Sequence, residues 1–283
     1  MILVTGATGK LGRLVVEGLL EKVPAHQVVV AVRNPDKAAA LAARGVQVRR
    51  ADYARPETLP AAFTGVQKVL LISSSENGQR VAQHRAVVEA ARAAGARLLV
   101  YTSILHADTS PLALAAEHQE TEELIRACGL PFVFLRNGWY TENYTENLGP
   151  ALEHGVLVNS SGEGRISAAS RADYAAAAVA VLTGAGRENT VYELAGDTGF
   201  TLGELSAEVS RQTGKRLVYK DLPPEQYQGV LTGAGVPALL ARLLVDSAVG
   251  ASRGALSDGS KQLSHLIGRP TTPLARSVAQ ALR

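Results

Sequence analysis

Val4-Thr5-Gly6-Ala7-Thr8-Gly9-Lys10-Leu11-Gly12 follows the apolar run Ile2-Leu3-Val4 and leads into Leu14, Val15, Leu19 and Leu20. Leu11 and those four residues recur at helical spacing, so the stretch reads as strand, glycine-rich turn and helix. That is the context in which three spaced glycines mean a dinucleotide-binding turn. Gly6 permits a tight turn off the strand, Gly9 lets the backbone approach a pyrophosphate, and Gly12 lets the helix lie close on the sheet. Unpaired N–H groups at the helix start, with the helix dipole behind them, favour an anion there. Gly6, Ala7, Thr8, Gly9, Lys10, Leu11 and Gly12 are therefore expected to bind cofactor. A Walker loop is the alternative, but it needs Ser or Thr directly after Gly-Lys, where Leu11 stands.

Working outward, the next apolar run, Val28-Val29-Val30-Ala31-Val32, ends in Arg33, with Asn34 beside it and Lys37 nearby. NAD-selective folds place an acid at that strand end for the ribose hydroxyls, whereas a guanidinium suits the 2′-phosphate of NADPH. NADPH is the expected cofactor; an exposed arginine closing a strand is the plain alternative. Asp52 follows the third apolar run, and Ser73, Ser74 and Ser75 close the fourth, at the carboxyl edge where open α/β sheets bind ligands. Turn chemistry accounts for these four residues equally well.

The rhythm of the first half extends this unit into a sheet. Short apolar runs at 2–5, 28–32, 46–49, 67–73, 97–102 and 131–135 alternate with helical patterns at 11–22, 35–44, 56–64, 78–94 and 112–128. Alternation of this kind predicts an α/β, Rossmann-type, doubly wound parallel sheet, and continuous apolar strands predict helices on both faces. After about residue 140 the beat loosens: helices are expected at 142–154, 171–183 and 203–212, and short strands at 156–158, 190–194 and 217–220. Thr201 and Glu204 form a capping-box pattern, Pro223-Pro224 and Pro237 start two more short helices, and Pro273 starts a last one. The expected division is an NADP-binding domain at 1–140 and a smaller, interleaved α/β lobe at 141–283 carrying the substrate side. The helix before Gly214-Lys215 resembles half of a helix-turn-helix, but no basic recognition helix follows it.

Composition narrows the function class. The 283 residues are 46% hydrophobic and 19% charged, with a formal charge of only +3. Lysines and arginines are scattered, which argues against nucleic acid. Cys128 is the only cysteine, so an intrachain disulfide and a thiolate metal site are both excluded, and a buried thiol at a helix end is expected. No His, Cys or carboxylate cluster has metal-ligand spacing. No apolar run approaches the roughly 20 residues of a membrane span, and no basic leader precedes the first strand, so a cytoplasmic protein is expected. Homo-oligomerisation is left open.

With these residues in hand, the chain resembles the NmrA-like atypical short-chain dehydrogenases, in the bacterial quinone-reductase branch whose near relative is triphenylmethane reductase. The resemblance runs essentially the full length. Beyond the glycine turn it is carried by Tyr101-Thr102-Ser103, His106-Ala107-Asp108, Glu117-His118, Glu120-Thr121-Glu122, and the block from Leu135-Arg136-Asn137 to Glu142-Asn143. Ser170-Arg171-Ala172-Asp173-Tyr174, Tyr192-Glu193-Leu194-Ala195-Gly196-Asp197, Asp246-Ser247 with Val249-Gly250-Ala251-Ser252, and Leu266-Ile267-Gly268 with Pro270-Thr271-Thr272 complete it. It implies two-electron reduction of quinones by NADPH, with no FAD and no metal. It also implies that the glycine turn and Arg33 hold the adenosine end and Ser73 to Ser75 lie along the cofactor. Asn137, Gly138, Trp139, Tyr140, Thr141 and Glu142 would border the nicotinamide, and Arg171 would contact the cofactor. Reduction of triphenylmethane dyes or other extended electrophiles is one alternative, and an NADP-binding redox sensor without turnover is another.

The superfamily's usual acid, Tyr-x-x-x-Lys, is missing. His118 stands where its lysine would be, and Ser103 matches the superfamily's serine without a tyrosine partner. The catalytic residue is therefore unassigned, with His118, Tyr140 and Asn143 as candidates and Tyr144 as a further cleft residue. The competing readings are a polar helix residue for His118, packing anchors for Trp139 and Tyr140, and a helix-start arginine for Arg171. A quinone tolerates the missing acid, because aromatisation drives hydride acceptance; a secondary-alcohol dehydrogenase needs it. A sugar-nucleotide epimerase is disfavoured for the same reason.

Overall fold

In the computed structural model every residue except Asn77 and Asn147 is described. The first elements are β1 (Ile2–Thr5), α1 (Lys10–Leu20), β2 (Val28–Val32), α2 (Ala39–Ala42), β3 (Gln47–Arg50), α3 (Leu59–Phe63), β4 (Lys68–Leu71), α4 (Arg80–Ala93), β5 (Leu98–Ile104), α5 (Ala115–Ala127) and β6 (Phe132–Asn137). They continue as α6 (Glu142–Thr145), α7 (Leu148–His154), β7 (Val156–Asn159), α8 (Arg171–Thr183), β8 (Thr190–Leu194), α9 (Leu202–Thr213) and β9 (Val218–Asp221). The chain closes with α10 (Pro224–Gly233), α11 (Ala238–Ser252), α12 (Gln262–Ile267) and α13 (Leu274–Ala281). Contacts divide it into two units: Met1–Ala107, Ala116–Asn137 and Arg171–Leu194 form the first; Asp108–Ala115, Gly138–Ser170 and Ala195–Arg283 form the second.

The first unit is a seven-stranded sheet in the order β3-β2-β1-β4-β5-β6-β8. Its pairings are all parallel, from Leu3 opposite Val29 to Leu135 opposite Tyr192. Every residue of β1, β2 and β5 is buried, as a sheet covered on both faces requires. Leu3, Val29, Val69, Leu99, Tyr101 and Phe134 meet Phe63, Val87 and Ile125 in one core layer. On the other face α1 and α8 pack at small residues: a Cβ on Gly18 would stand 2.9 Å from Val179 Cγ2. Strand order reverses between β1 and β4, which creates a crevice at their carboxyl ends.

Two buried polar networks sit in this unit. Arg136, 5% exposed, bonds Glu122 at 2.8 and 2.9 Å and Glu193 at 2.8 Å, and Ser103 Oγ donates to Glu122 at 2.7 Å. In the second, His84 Nε2 accepts the Ser74 N–H at 2.9 Å, so Nδ1–H faces Thr121 Oγ1 at 3.0 Å. His118 Nδ1 lies 2.7 Å from the Tyr101 hydroxyl. Burial first, and the Arg80 charge second, hold both imidazoles down to about 3.

The second unit holds the parallel pair β7 and β9, with α6, α7 and α9 to α13. The capping box at Thr201 and Glu204 forms in both directions. Several expectations need amending. Segments 35–44 and 56–64 each begin as a 3-10 turn at a proline, Pro35 and Pro56, and leave only the short α2 and α3. The helix expected at 142–154 is α6 and α7, with Asn147 outside the described residues. The helix after Pro237 is not short: α11 runs 15 residues. Cys128 is half-buried, packed on the edge of the first core.

Arg136→Met should take the guanidinium from buried Glu122, which keeps only the longer 3.3 Å contact of the half-exposed Arg126, and from half-buried Glu193, and lower the unfolding free energy by about 3 kcal/mol, read from urea denaturation. The imidazoles give a pH signature. Both are neutral in the folded chain and titrate near their ordinary value of 6.5 when unfolded, so below pH 6.5 the unfolded chain binds more protons. Stability is thus full above about pH 6.5 and declines towards pH 3, by roughly 1 kcal/mol per pH unit for each imidazole. Urea midpoints between pH 7 and pH 5 should show this slope, about half as steep in His118→Asn.

Candidate functional site

The crevice predicted by the strand order is a real cavity of about 310 Å³, lined by the ends of β1 to β4 and the turns after them. At its floor Gly6 adopts a φ of +59°, and its carbonyl accepts the Gly9 N–H at 2.9 Å. A side chain on Gly9 would stand 3.2 Å from that carbonyl. One on Gly12 would collide with it and stand 2.7 Å from Ala7 Cα. The helix therefore starts directly against the turn. Gly9 caps α1 in extended conformation with no side-chain hydrogen bond, so the first-turn donors are offered to whatever enters. Arg13 Nε donates to Thr8 O at 3.1 Å and pins the loop. Gly6, Thr8 and Gly9 line the cavity; Ala7 and Leu11 are buried, so their side chains serve packing and only their backbone serves a ligand.

Arg33 lies on the rim, its side chain 74% exposed, and donates to Glu76 Oε1 at 3.1 Å. Lys37 lies in the 3-10 turn that Asn34 caps through the Asp36 N–H. Asp52 lines the cavity and also makes a turn, its Oδ1 accepting the Ala54 N–H at 3.1 Å. Ser73, Ser74 and Ser75 form the opposite wall. Ser73 N–H is taken by Thr102 Oγ1 and Ser74 N–H by His84, while Arg80 Nε donates to Ser74 O at 2.8 Å.

Three lining residues with polar side chains carried no assigned role in the sequence: Tyr53, Glu76 and Gln83. Tyr53 is adjacent to Asp52, and burial pushes its phenol up to about 12, so it is a neutral donor or a flat surface. Gln83 belongs to α4 and reaches the wall through Ser74 Oγ at 2.5 Å and Glu76 Oε2 at 2.6 Å. Glu76 follows the serines by one residue.

His118 is not among the residues lining this cavity; it is 7% exposed, inside the core, with Tyr101 as its partner. Ser103 is likewise buried and committed to Glu122. Asn137 ends β6, 6% exposed, and its Oδ1 has no hydrogen-bond partner among the described residues. A buried amide oxygen left in this way is costly unless a ligand donates to it. Arg171 opens α8, half-buried.

In the second unit Gly138 is buried and Tyr140 bridges to Ala169. Thr141 is buried and donates its N–H to Ala169 O at 2.9 Å, and Glu142 starts α6. Trp139, Asn143 and Tyr144 line a different cavity, about 640 Å³, otherwise walled by residues such as Leu157, Leu231, Val236 and Leu244. Tyr140 is not in its lining. Tyr144 meets the Phe200 ring edge-on at 6.0 Å, and burial raises its phenol far above the usual range. Tyr227 OH accepts from Asn159 Nδ2 at 3.0 Å within the same wall. Volume, apolar walls and few polar groups match a small-molecule pocket. No group of three or more His, Cys, Asp or Glu suited to a metal occurs among the described residues.

Comparison with known proteins agrees with this geometry. The NAD(P)H-binding family profile matches residues 6–184. Quinone oxidoreductase 2 of Escherichia coli is 55% identical over 279 residues, which cover 99% of this chain and 98% of that protein. Among solved structures, the NADPH-dependent quinone oxidoreductase of Escherichia coli complexed with NADPH superposes with a TM-score of 0.98 at 54% identity, over 100% of both chains. The triphenylmethane reductase of Citrobacter sp. complexed with NADP(H) follows at 0.96 and 41% identity, over 99% of this chain and 100% of that one. The chain belongs to the NmrA-like, NAD(P)H-binding family.

Proposed function

We propose that this chain is an NADPH-dependent reductase that passes hydride to quinones in a two-electron step, without FAD or metal. The observation that carries the reading is the glycine-floored cavity with a guanidinium on its rim, in a chain similar over its full length to an NADPH-dependent quinone oxidoreductase. The orphaned Asn137 oxygen fits a donor supplied by a bound coenzyme. On this reading the first unit holds the nucleotide: Gly6 to Gly12 seat the diphosphate, Arg33 the 2′-phosphate, and Asp52 the adenine. Ser73 to Ser75 lie along its length. Asn137 to Glu142 and Arg171 face the nicotinamide end. Within the second unit, Trp139 and Tyr144 offer flat surfaces and Asn143 a polar group in a cavity whose apolar walls suit a flat ring. Reduced nicotinamide supplies the hydride.

What the protein's own residues do not supply is a strong acid. Tyr101 is raised by burial, and His118 beside it is neutral at pH 7. A quinone suits such a site, because hydride addition yields a stabilised phenolate that water can protonate; positioning does most of the work. On this reading the protein works in the cytoplasm; no described helix is long and apolar enough to cross a membrane.

Anaerobic assays should show NADPH consumed in a one-to-one ratio with a small quinone, with little loss in a no-acceptor control. NADPH binding without turnover on quinones or triphenylmethane dyes would make the chain a sensor instead. Arg33→Asp should lower kcat/KM for NADPH by about 10- to 100-fold, the worth of charge-assisted bonds to a phosphate, and spare NADH. Unchanged discrimination would reduce Arg33 to surface.

A further inference from the structure

Arg33 shares the cavity rim with an acid. Glu76 Oε1 accepts from Arg33 Nη1 at 3.1 Å, while its Oε2 accepts from Gln83 Nε2 at 2.6 Å. Gln83 is only 9% exposed and is itself fixed through Ser74 Oγ, and the same hydroxyl accepts the Glu76 N–H at 3.2 Å. The carboxylate is thus held from both sides, and Arg33, Glu76 and Gln83 all line the cavity. Dinucleotide folds that select NAD use one carboxylate at the end of the second strand to take the ribose hydroxyls. Here a guanidinium occupies that strand end, and the carboxylate arrives from the turn after β4.

We propose that Glu76 is a specificity-determining residue: its carboxylate accepts the ribose 2′-hydroxyl of NADH and opposes the 2′-phosphate of NADPH. The Arg33–Glu76 pair thereby sets a moderate preference and keeps both coenzymes usable. This rests on the reading that the cavity seats the adenosine end. The two anions, carboxylate and 2′-phosphate, compete for one guanidinium, so removing the first strengthens the grip on the second. Because the pair is exposed, solvent and salt screen the effect to a moderate size.

The test is calorimetric titration of the full chain and of Glu76→Gln and Glu76→Ala with NADPH and NADH. Adenosine 2′,5′-bisphosphate and 5′-AMP serve as probes of the adenosine end alone. In both variants Kd for NADPH and the bisphosphate should fall about threefold, and Kd for NADH should rise about threefold, moving the ratio about tenfold. A merely structural Glu76 would move both coenzymes the same way, and that result, or a ratio left unchanged in variants that bind NADPH, overturns the proposal. A wild-type chain that binds neither coenzyme would overturn the reading of the cavity itself.

Discussion

Among the glycines of the first unit, Gly12 is packed most tightly: a β-carbon there would collide with the carbonyl of Gly6. That contact lets α1 begin against the sheet edge and not a residue's width away from it. Everything that follows at the site inherits its position: the left-handed Gly6, the donor-rich first turn, and the crevice between the ends of β1 and β4. The arrangement is inexpensive to hold, since the residues around it, Leu3, Val4, Val15 and Val16, are fully buried by ordinary apolar packing.

The opposite wall is held by a different means. Ser73 to Ser75 leave β4 as irregular backbone, whose N–H and C=O groups need partners once buried. Thr102 and His84 take two of the N–H groups, and Arg80 takes the Ser74 carbonyl while pairing with Glu117 at 2.7 Å. His84 can accept only while it is neutral, so the buried imidazole that lowers acid stability is the same group that holds the wall. Stability and site geometry are tied together through one tautomer.

These two mechanisms explain which parts of the site were legible in the sequence. The glycine turn could be read because its glycines answer local backbone constraints, and the strand run ending in Arg33 because apolar runs mark strand ends. Six strands of the sheet were legible from alternation, with boundaries within a few residues; the seventh, β8, lies past residue 140, where the beat loosens, and was expected in the second lobe. Glu76 and Gln83 were not legible, because their roles come from pairings 43 and 9 residues away in sequence, to Arg33 and Ser74. His118 was drawn to the site by its alignment with a missing lysine; the structure buries it against the Tyr101 hydroxyl, outside the lining of the glycine-floored cavity. Prolines 35 and 56 cut two helices short for reasons sequence also carries, since proline fits a first turn and starts it tightly.

The missing acid and the paired rim charges point to the same kind of enzyme. A reductase built for a carbonyl must hold a proton ready and orient it, which ties the site to one substrate shape. Here the groups nearest that role, Ser103, Tyr101 and His118, are all spent inside the core, on Glu122 and on each other. Arg33, Asp52, Glu76 and Gln83 line the glycine-floored cavity instead. The second unit's large cavity offers mostly aliphatic and aromatic wall. On the proposed reading, recognition is concentrated on the nucleotide, and the acceptor is chosen by flatness, apolarity and its own readiness to take hydride. Such a division predicts breadth among flat electrophiles that accept hydride without a proton held ready.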